Sequence, residues 1–516
     1  MDSTGRGKRV VVIGGGITGL TAAYRLTQAA RAHEGPLEVI LLEASGRLGG
    51  AIATHAQDGL LMEQGPDCFL SAKPWGMRLC EELGLGDEII STTTQYRQSF
   101  IVRGGKLVPV PQGFYLMAPG SWRSLITTPV FSWRGKLRMA LDLVVPRRTA
   151  TDDESLAQFV TRRLGREALE RMAQPMVGGI YTADPQSLSM RATMPQFLEM
   201  EQQHGSLIRA MLHRQRNAAS AGTSGPRYGL FVSFRQGMQT LIDALTAHLP
   251  AGTVRLHAPV RRLQRLAETQ RWLVHLDQQP ALEADAVCLS LPAPPSGQLL
   301  HDVDDPLATA LQAVPYASSA IVNLVCTRAQ VSHPLDGMGF VVPAIEQRAL
   351  LACSFSSVKF AGRAPQNQVL LRAFVGGALQ QEQLARSDVE IKQAVVHDLR
   401  QLLGLTGEPL AISVTRHLEA MPQYHVGHLD RVAHITSRLA HYPGLVLAGN
   451  AYHGVGIPDC IHSAEMAVQT LLEYLSTYSA LAAASAGAVP SLPGSNSGRD
   501  AALESSPDIL HLHMRS

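Results

Sequence analysis

The chain is 516 residues long, which exceeds one ordinary domain of about 150 residues, and its 45% hydrophobic against 17% charged content excludes a mainly disordered protein. Lys+Arg 45 against Asp+Glu 43 leaves a formal charge of +2, so DNA and RNA, which require a broad basic field, are excluded as partners. Cys68, Cys80, Cys288, Cys326, Cys353 and Cys460 contain no C-x-x-C pair; neither a disulfide framework nor a metal site is indicated, and a reducing, cytoplasmic setting fits.

The opening MDSTGRGKR runs directly into an apolar strand without an h-region or cleavage site, so no signal or transit peptide is expected. Strand patterns fall at 9–13, 38–42, 272–276, 286–291, 320–325 and 445–448, and helical patterns at 19–32 and 463–474. This mixture predicts an α/β or α+β fold. Segments with the look of one nucleotide-binding domain lie at the start, near 230–295 and at 440–475, which predicts a discontinuous domain carrying an inserted second domain. The most apolar stretch, TLLEYLSTYSALAAASAGAV, is interrupted by Glu473 and falls short of a membrane-spanning helix. From 479 to 516 the Ala, Ser, Gly and Pro content predicts a disordered tail.

The first strand leads into GGGITGL, with Gly14, Gly16 and Gly19 in G-x-G-x-x-G spacing, and a second strand ends at Glu43 and Ala44. Gly14 allows the tight turn, Gly16 the approach of a pyrophosphate and Gly19 close helix packing; Gly15, Ile17 and Thr18 complete the loop and the helix N-terminus. The Glu43 carboxylate is expected to take ribose hydroxyls and to repel a 2′-phosphate, which argues against NADP. SGRLGGAIAT then places Arg47, Gly49 and Gly50 farther along the ligand path. This extension resembles the R-x-G-G stretch of the amine oxidase superfamily, whose members bind FAD, and in that superfamily the arginine region lies along the flavin diphosphate.

Near the other end, GLVLAGNAYHGVGIPDCIHSAEMAV repeats the strand, glycine turn and helix at Gly449, Gly454 and Gly456. With GGGITGL, RLGG and GPDCFL it resembles the protoporphyrinogen oxidase family, an FAD-dependent branch that includes bacterial coproporphyrinogen III oxidases. The resemblance covers residues 9–475. It implies non-covalent FAD, with the backbone of Val455, Gly456 and Ile457 at the pyrimidine end of the flavin and Val260 at the adenine. It implies an FAD-binding Rossmann-like domain at 1–85, 228–297 and 440–478, and a substrate-binding domain at 86–227 and 298–439 with a helical part near 115–210. Cys460 is read as a packed thiol, His453 as lining the turn, and Asp459 as a cap for a helix starting near Ile461.

On the substrate side the resemblance places Arg97 on a propionate, Val341 and Phe374 against the ring faces, and Gly178 and Gly179 where the macrocycle needs room. Ser354 falls where relatives carry an apolar residue, a departure that alters the pocket's shape. No side chain is assigned as catalytic, since the chemistry is carried at flavin N5, and dioxygen is the expected acceptor. Lys73, in GPDCFLSAKP, resembles the bacterial branch, and Arg97 the protoporphyrinogen-oxidising one, so protoporphyrinogen IX and coproporphyrinogen III both stay open as substrate. An alternative flavin amine oxidase or carotenoid desaturase shares GGGITGL and RLGG, with GVGIPDCI weighing against both; a porphyrin carrier is the non-enzymatic alternative.

Between 120 and 148, Trp122, Phe131, Trp133, Leu137 and Leu141 alternate with Arg123, Arg134, Lys136, Arg138, Arg147 and Arg148. This suits peripheral docking on the inner face of an anionic bilayer, and an amphipathic helix with a solvated face explains it equally well. A homo-oligomer and contact with the next haem-pathway enzyme stay open.

Overall fold

The run KRVVVI becomes the central strand Lys8–Ile13, with Val10, Val11 and Val12 shielded completely from solvent. Strands buried on both faces read as continuous apolar runs, as here. The computed structural model of the chain describes residues 7–32, 36–111, 113–115, 117–220 and 231–486.

Five strands form a parallel sheet in the order Val254–Arg255, Leu37–Leu42, Lys8–Ile13, Ala286–Leu289, Leu445–Leu447. Val11 pairs with Ile40 on one side and Val287 on the other. Helices Ile17–Ala32 and Ile457–Ala486 cover the face bearing Val10, Val12 and Leu41, while Val11, Ile13 and Ile40 pack with Leu263, Trp272 and Leu300 on the other. The sheet therefore joins segments from both ends and the middle of the chain.

A second, seven-stranded sheet runs in the order Ala411–Pro422, Tyr316–Thr327, Gln368–Gly376, Leu350–Phe355, Gly339–Val341, Phe100–Arg103, Lys106–Pro109. Phe340, Cys353, Ala373 and Val322 form one cross-strand row on the face that packs with Val395 and Leu399 of helix Asp388–Leu403. Successive strand residues alternate faces, so Val341, Ala352, Phe374 and Ile321 share the opposite one.

A helical region includes Leu156–Arg163, Gln174–Tyr181, Pro195–His204 and Leu207–Ser220, packed through Phe159, Met172, Phe197 and Leu207. Ser155 and Gln158 start the first of these with a reciprocal capping box. Arg163 and Asp142, both inaccessible to solvent, pin the preceding segment beneath it: the guanidinium Nε donates to Asp142 Oδ1 at 2.6 Å, and Oδ2 accepts from Ser206 Oγ and Ile208 N.

Several elements differ from the sequence expectation. The 286–291 strand stops at Leu289, and the 320–325 pattern is the middle of the longer Tyr316–Thr327. The last helix begins at Ile457 and runs through Ala486, past the start of the expected tail, because small alanines tolerate a helix as well as a loop. Of that tail, residues 487–516 lie outside the described residues. The 120–148 segment holds two short helices, Trp122–Thr127 and Trp133–Ala140, each capped by a serine hydroxyl (Ser121 and Ser132).

Candidate functional site

The glycine loop sits at the carboxyl end of the central strand, where ligands bind in open α/β sheets. Gly14 adopts φ 109°, a conformation that favours glycine, and a side chain there would meet the Ser290 carbonyl. A Cβ on Gly19 would lie 1.8 Å from the Gly14 carbonyl oxygen, so this glycine permits the helix to pack against the loop. A Cβ on Gly16 would meet nothing within 4 Å. Around it, Gly50 has only the Gly16 Cα in reach, at 3.3 Å, and Gly449 only the Thr18 hydroxyl, at 3.9 Å. Three glycines from distant segments thus border open space at the start of helix Ile17–Ala32, whose first-turn N–H groups lack helical acceptors. A cradle of this kind fits a dinucleotide diphosphate.

Two residues expected at the ligand also bond to the loops. Glu43 accepts the Gly15 N–H at 2.7 Å through Oε2 and the Ser45 N–H at 2.8 Å through Oε1. Each carboxylate oxygen has two lone pairs, so a ribose hydroxyl would share Glu43 with the loop rather than hold it alone. The Arg47 guanidinium donates to the carbonyls of Leu48, Gly50 and Ile52, which braces the glycine turn. Ala44 is exposed beside it, and the 257–260 segment reaches the same edge, with the Ala258 N–H donating to the Glu43 carbonyl. Val260 follows at the start of strand Val260–Arg265.

The second glycine turn faces the first. Gly449 N–H donates to Ser463 Oγ, and the helix begins at Ile457, four residues before the predicted start. Asp459 consequently lies in its first turn rather than at the cap of a later helix; its Oδ2 accepts the Gly456 N–H at 3.2 Å, and both its oxygens pair with Lys73 Nζ. Cys460 is buried in the core, and burial pushes its thiol up to about 12. His453 is exposed on the turn.

On the substrate side, the row Val341, Ala352, Phe374 and the adjacent row Gly339, Ser354, Arg372 share one sheet face. A Cβ on Gly179 would lie 3.7 Å from Val341, so helix Gln174–Tyr181 closes against that face, with Gly178 beside it. Phe374 is partly covered: the Arg372 guanidinium lies 4.7 Å from its ring centroid. Arg97 is exposed ahead of strand Phe100–Arg103, and among the described residues it makes no ion pair.

The sequence reading missed a charged cluster and a polar brace. Asp67, in GPDC, pairs with Lys359 Nζ at 2.8 Å and Arg372 at 3.5 Å, while Arg372 also donates to the Gly65 carbonyl. The two cations hold the Asp67 carboxyl far below its usual range despite burial. Arginine within the apolar run QVLLRAFVG was the available signal, because a charge in a buried strand requires a partner. Gln423 and Tyr424, which bond to the end of helix Gln174–Tyr181 and to the Asn450–Gly454 turn respectively, carried no motif at all.

With this sheet and cradle, the chain belongs to the flavin containing amine oxidoreductase family, whose sequence profile matches residues 17–472. Its cofactor is FAD. Among curated relatives, the coproporphyrinogen III oxidase of Bacillus subtilis (strain 168) is 35% identical, over 91% of this chain and 98% of its own. That of Propionibacterium freudenreichii subsp. freudenreichii is 37% identical, over 95% and 94%. A crystal structure from Exiguobacterium sp. 255-15, assigned as a protoporphyrinogen oxidase, superposes with TM-score 0.80 at 34% identity, covering 92% of this chain and all of that one.

Proposed function

We propose that this chain is an oxygen-dependent porphyrinogen oxidase acting on coproporphyrinogen III. The observation that carries the reading is the junction of a glycine-lined cradle with an apolar sheet face closed by Gly179, on a chain similar throughout its length to two coproporphyrinogen III oxidases. FAD, when bound, accepts hydride equivalents from the macrocycle and passes them to dioxygen.

The residues then divide the work. Gly16 and Gly50 leave room for the diphosphate, and the helix start at Ile17 and Thr18 turns its N–H groups to it, while Gly14, Gly15, Gly19 and Gly49 let the loops pack in that shape and Arg47 braces the turn at Gly49 and Gly50. Glu43 and Ala44 border the ribose, and Val260 the adenine. The backbone of Val455, Gly456 and Ile457, at a helix N-terminus, favours negative charge at the pyrimidine end. Val341 and Phe374 form the wall for the tetrapyrrole, Gly178 and Gly179 admit its edge, and Ser354 widens the cavity where relatives are apolar. Arg97 pairs with a propionate. The cofactor-binding domain comprises 1–85, 228–297 and 440–478, with the remainder up to 439 on the substrate side.

The exposed row Trp133 (67%), Leu137 (69%), Leu141 and Val144 (74%), beside Trp122 and Ile126, supports peripheral contact with lipid. Its charge is smaller than the sequence suggested. Lys136 is buried and donates to the Ile126 carbonyl, Arg138 caps the carbonyls of Thr161, Arg162 and Arg163, and Phe131 belongs to the core. Arg123, Arg134 and Arg147 remain exposed. Among the described residues no helix is long and apolar enough to cross a membrane.

The deciding experiment is anaerobic bleaching of the bound flavin by coproporphyrinogen III, protoporphyrinogen IX and a panel of amines. Faster bleaching by coproporphyrinogen III is expected. Bleaching by amines alone would overturn the assignment.

A further inference from the structure

The edge strand Ala411–Pro422 ends at Gln423 and Tyr424, both almost fully buried. The Tyr424 hydroxyl donates to the Asn450 carbonyl at 2.6 Å and accepts the Gly454 N–H at 2.8 Å, so one oxygen spans the turn that leads into Val455–Gly456. Its ring stacks on His428, with centroids 4.0 Å apart and planes 11° from parallel, and His428 Nε2 donates to the Tyr452 carbonyl within the same turn at 3.0 Å. Gln423 points the other way. Its Nε2 donates at 3.0 Å to the carbonyl of Tyr181, the last residue of the helix bearing Gly178 and Gly179.

Two adjacent residues therefore touch the cofactor-side turn and the substrate-side helix separately. We propose that Tyr424 is a positioning residue for the cofactor turn and Gln423 its counterpart for the substrate-side helix, so that together they set the spacing between flavin and macrocycle. A phenol here cannot be replaced silently: without the hydroxyl, the Gly454 N–H and the Asn450 carbonyl lose their common partner in a dry setting. Burial also raises the Tyr424 hydroxyl well above its ordinary range, which keeps it a donor at every working pH.

The inference rests on the reading that the Val455–Ile457 backbone faces the flavin, and its test separates the two. In the FAD-loaded protein, Tyr424→Phe should keep full flavin content but lower the midpoint potential, because slack N–H groups stabilise reduced flavin less; kcat should drop about 10-fold, a small barrier change, with KM near that of the parent. Gln423→Leu should raise KM and leave the potential and visible spectrum unchanged. The potential is titrated with dithionite and a redox dye, so it needs no porphyrinogen and survives a wrong substrate assignment. If Tyr424→Phe does not accumulate folded, His428→Phe, which removes the bond to Tyr452 and keeps an aromatic ring against Tyr424, should shift the potential in the same direction by less. An unaltered potential in Tyr424→Phe and His428→Phe, or kcat and KM moving together in both Tyr424→Phe and Gln423→Leu, would reduce the pair to ordinary packing and overturn the proposal. A Gly456→Val protein that keeps all its FAD would instead remove the cofactor reading itself.

Discussion

Lys73 and Asp459 stand 386 residues apart in sequence, yet the ammonium lies 2.5 and 2.7 Å from the two carboxylate oxygens, one of which also holds the Gly456 N–H. The pair ties the GPDCFLSAKP segment to the first turn of the last helix, so Lys73 is engaged by the protein and is not a spare cation for a propionate. Lys73→Met should cost about 1 kcal/mol, since the lysine side chain is 41% exposed and screening discounts the pair. Faster flavin loss on dilution is the expected companion. Full retention with unchanged thermal stability would show that Asp459 orders the turn unaided.

Gly16 and Gly19 should respond in opposite ways. Gly16→Val places its side chain in space that no protein atom fills, so the variant should fold and lose FAD, read as the ratio of flavin to protein absorbance. Gly19→Ala drives a methyl into the Gly14 carbonyl and should lower expression and thermal stability first. A Gly16→Val protein with normal flavin content would contradict the cradle.

Arg97→Ala should lower kcat/KM by about 10- to 150-fold, the equivalent of roughly 1.5 to 3 kcal/mol for a hydrogen-bonded propionate, while FAD stays bound. Because Lys73 is committed to Asp459, the loss should be alike for coproporphyrinogen III and protoporphyrinogen IX. Kinetics equal to the parent with both porphyrinogens would leave Arg97 a solvated charge.

Lipid contact predicts co-sedimentation with anionic vesicles that weakens as salt rises and weakens further in Trp133→Ser. Trp133 is one of the large apolar side chains that this row exposes, with Arg134 beside it. Equal recovery in the supernatant with and without vesicles would rule the contact out.

His428 is completely buried, and burial lowers its pKa from 6.5 to about 4. A depressed histidine favours the neutral form when folded, so its stabilisation is complete above pH 6.5 and is lost as pH falls toward about 4. The full contribution is roughly 3 kcal/mol. Urea midpoints measured across that window should fall, and His428→Phe should flatten the fall. An equally steep profile in the variant would assign the acid sensitivity to other groups.

Motifs whose chemistry requires glycine were readable without a structure, because a missing side chain constrains both the backbone and the ligand space. The strand Lys8–Ile13 and the loop at Gly14 to Gly19 are of this kind. Side-chain direction was not readable: the sequence placed Arg47 near the ligand path but could not tell that it turns back onto Leu48, Gly50 and Ile52. Nor could spacing reveal Asp67, Lys359 and Arg372, which meet only because strand Gln368–Gly376 lies against the GPDC segment. The helix at Ile457 began early because Asp459 can cap the Gly456 N–H from inside the first turn.

The order in which the sheet is assembled bears on biosynthesis. Lys8–Ile13 and its glycine loop leave the ribosome well before Leu445–Leu447 and the facing turn. The nascent protein must therefore mature its inserted strands and helices with half a cradle exposed, and domains generally fold as units while such long-range pairing waits for the remaining chain. Cofactor capture then waits for the second wall, and a transcript cut short before residue 445 yields a chain without it.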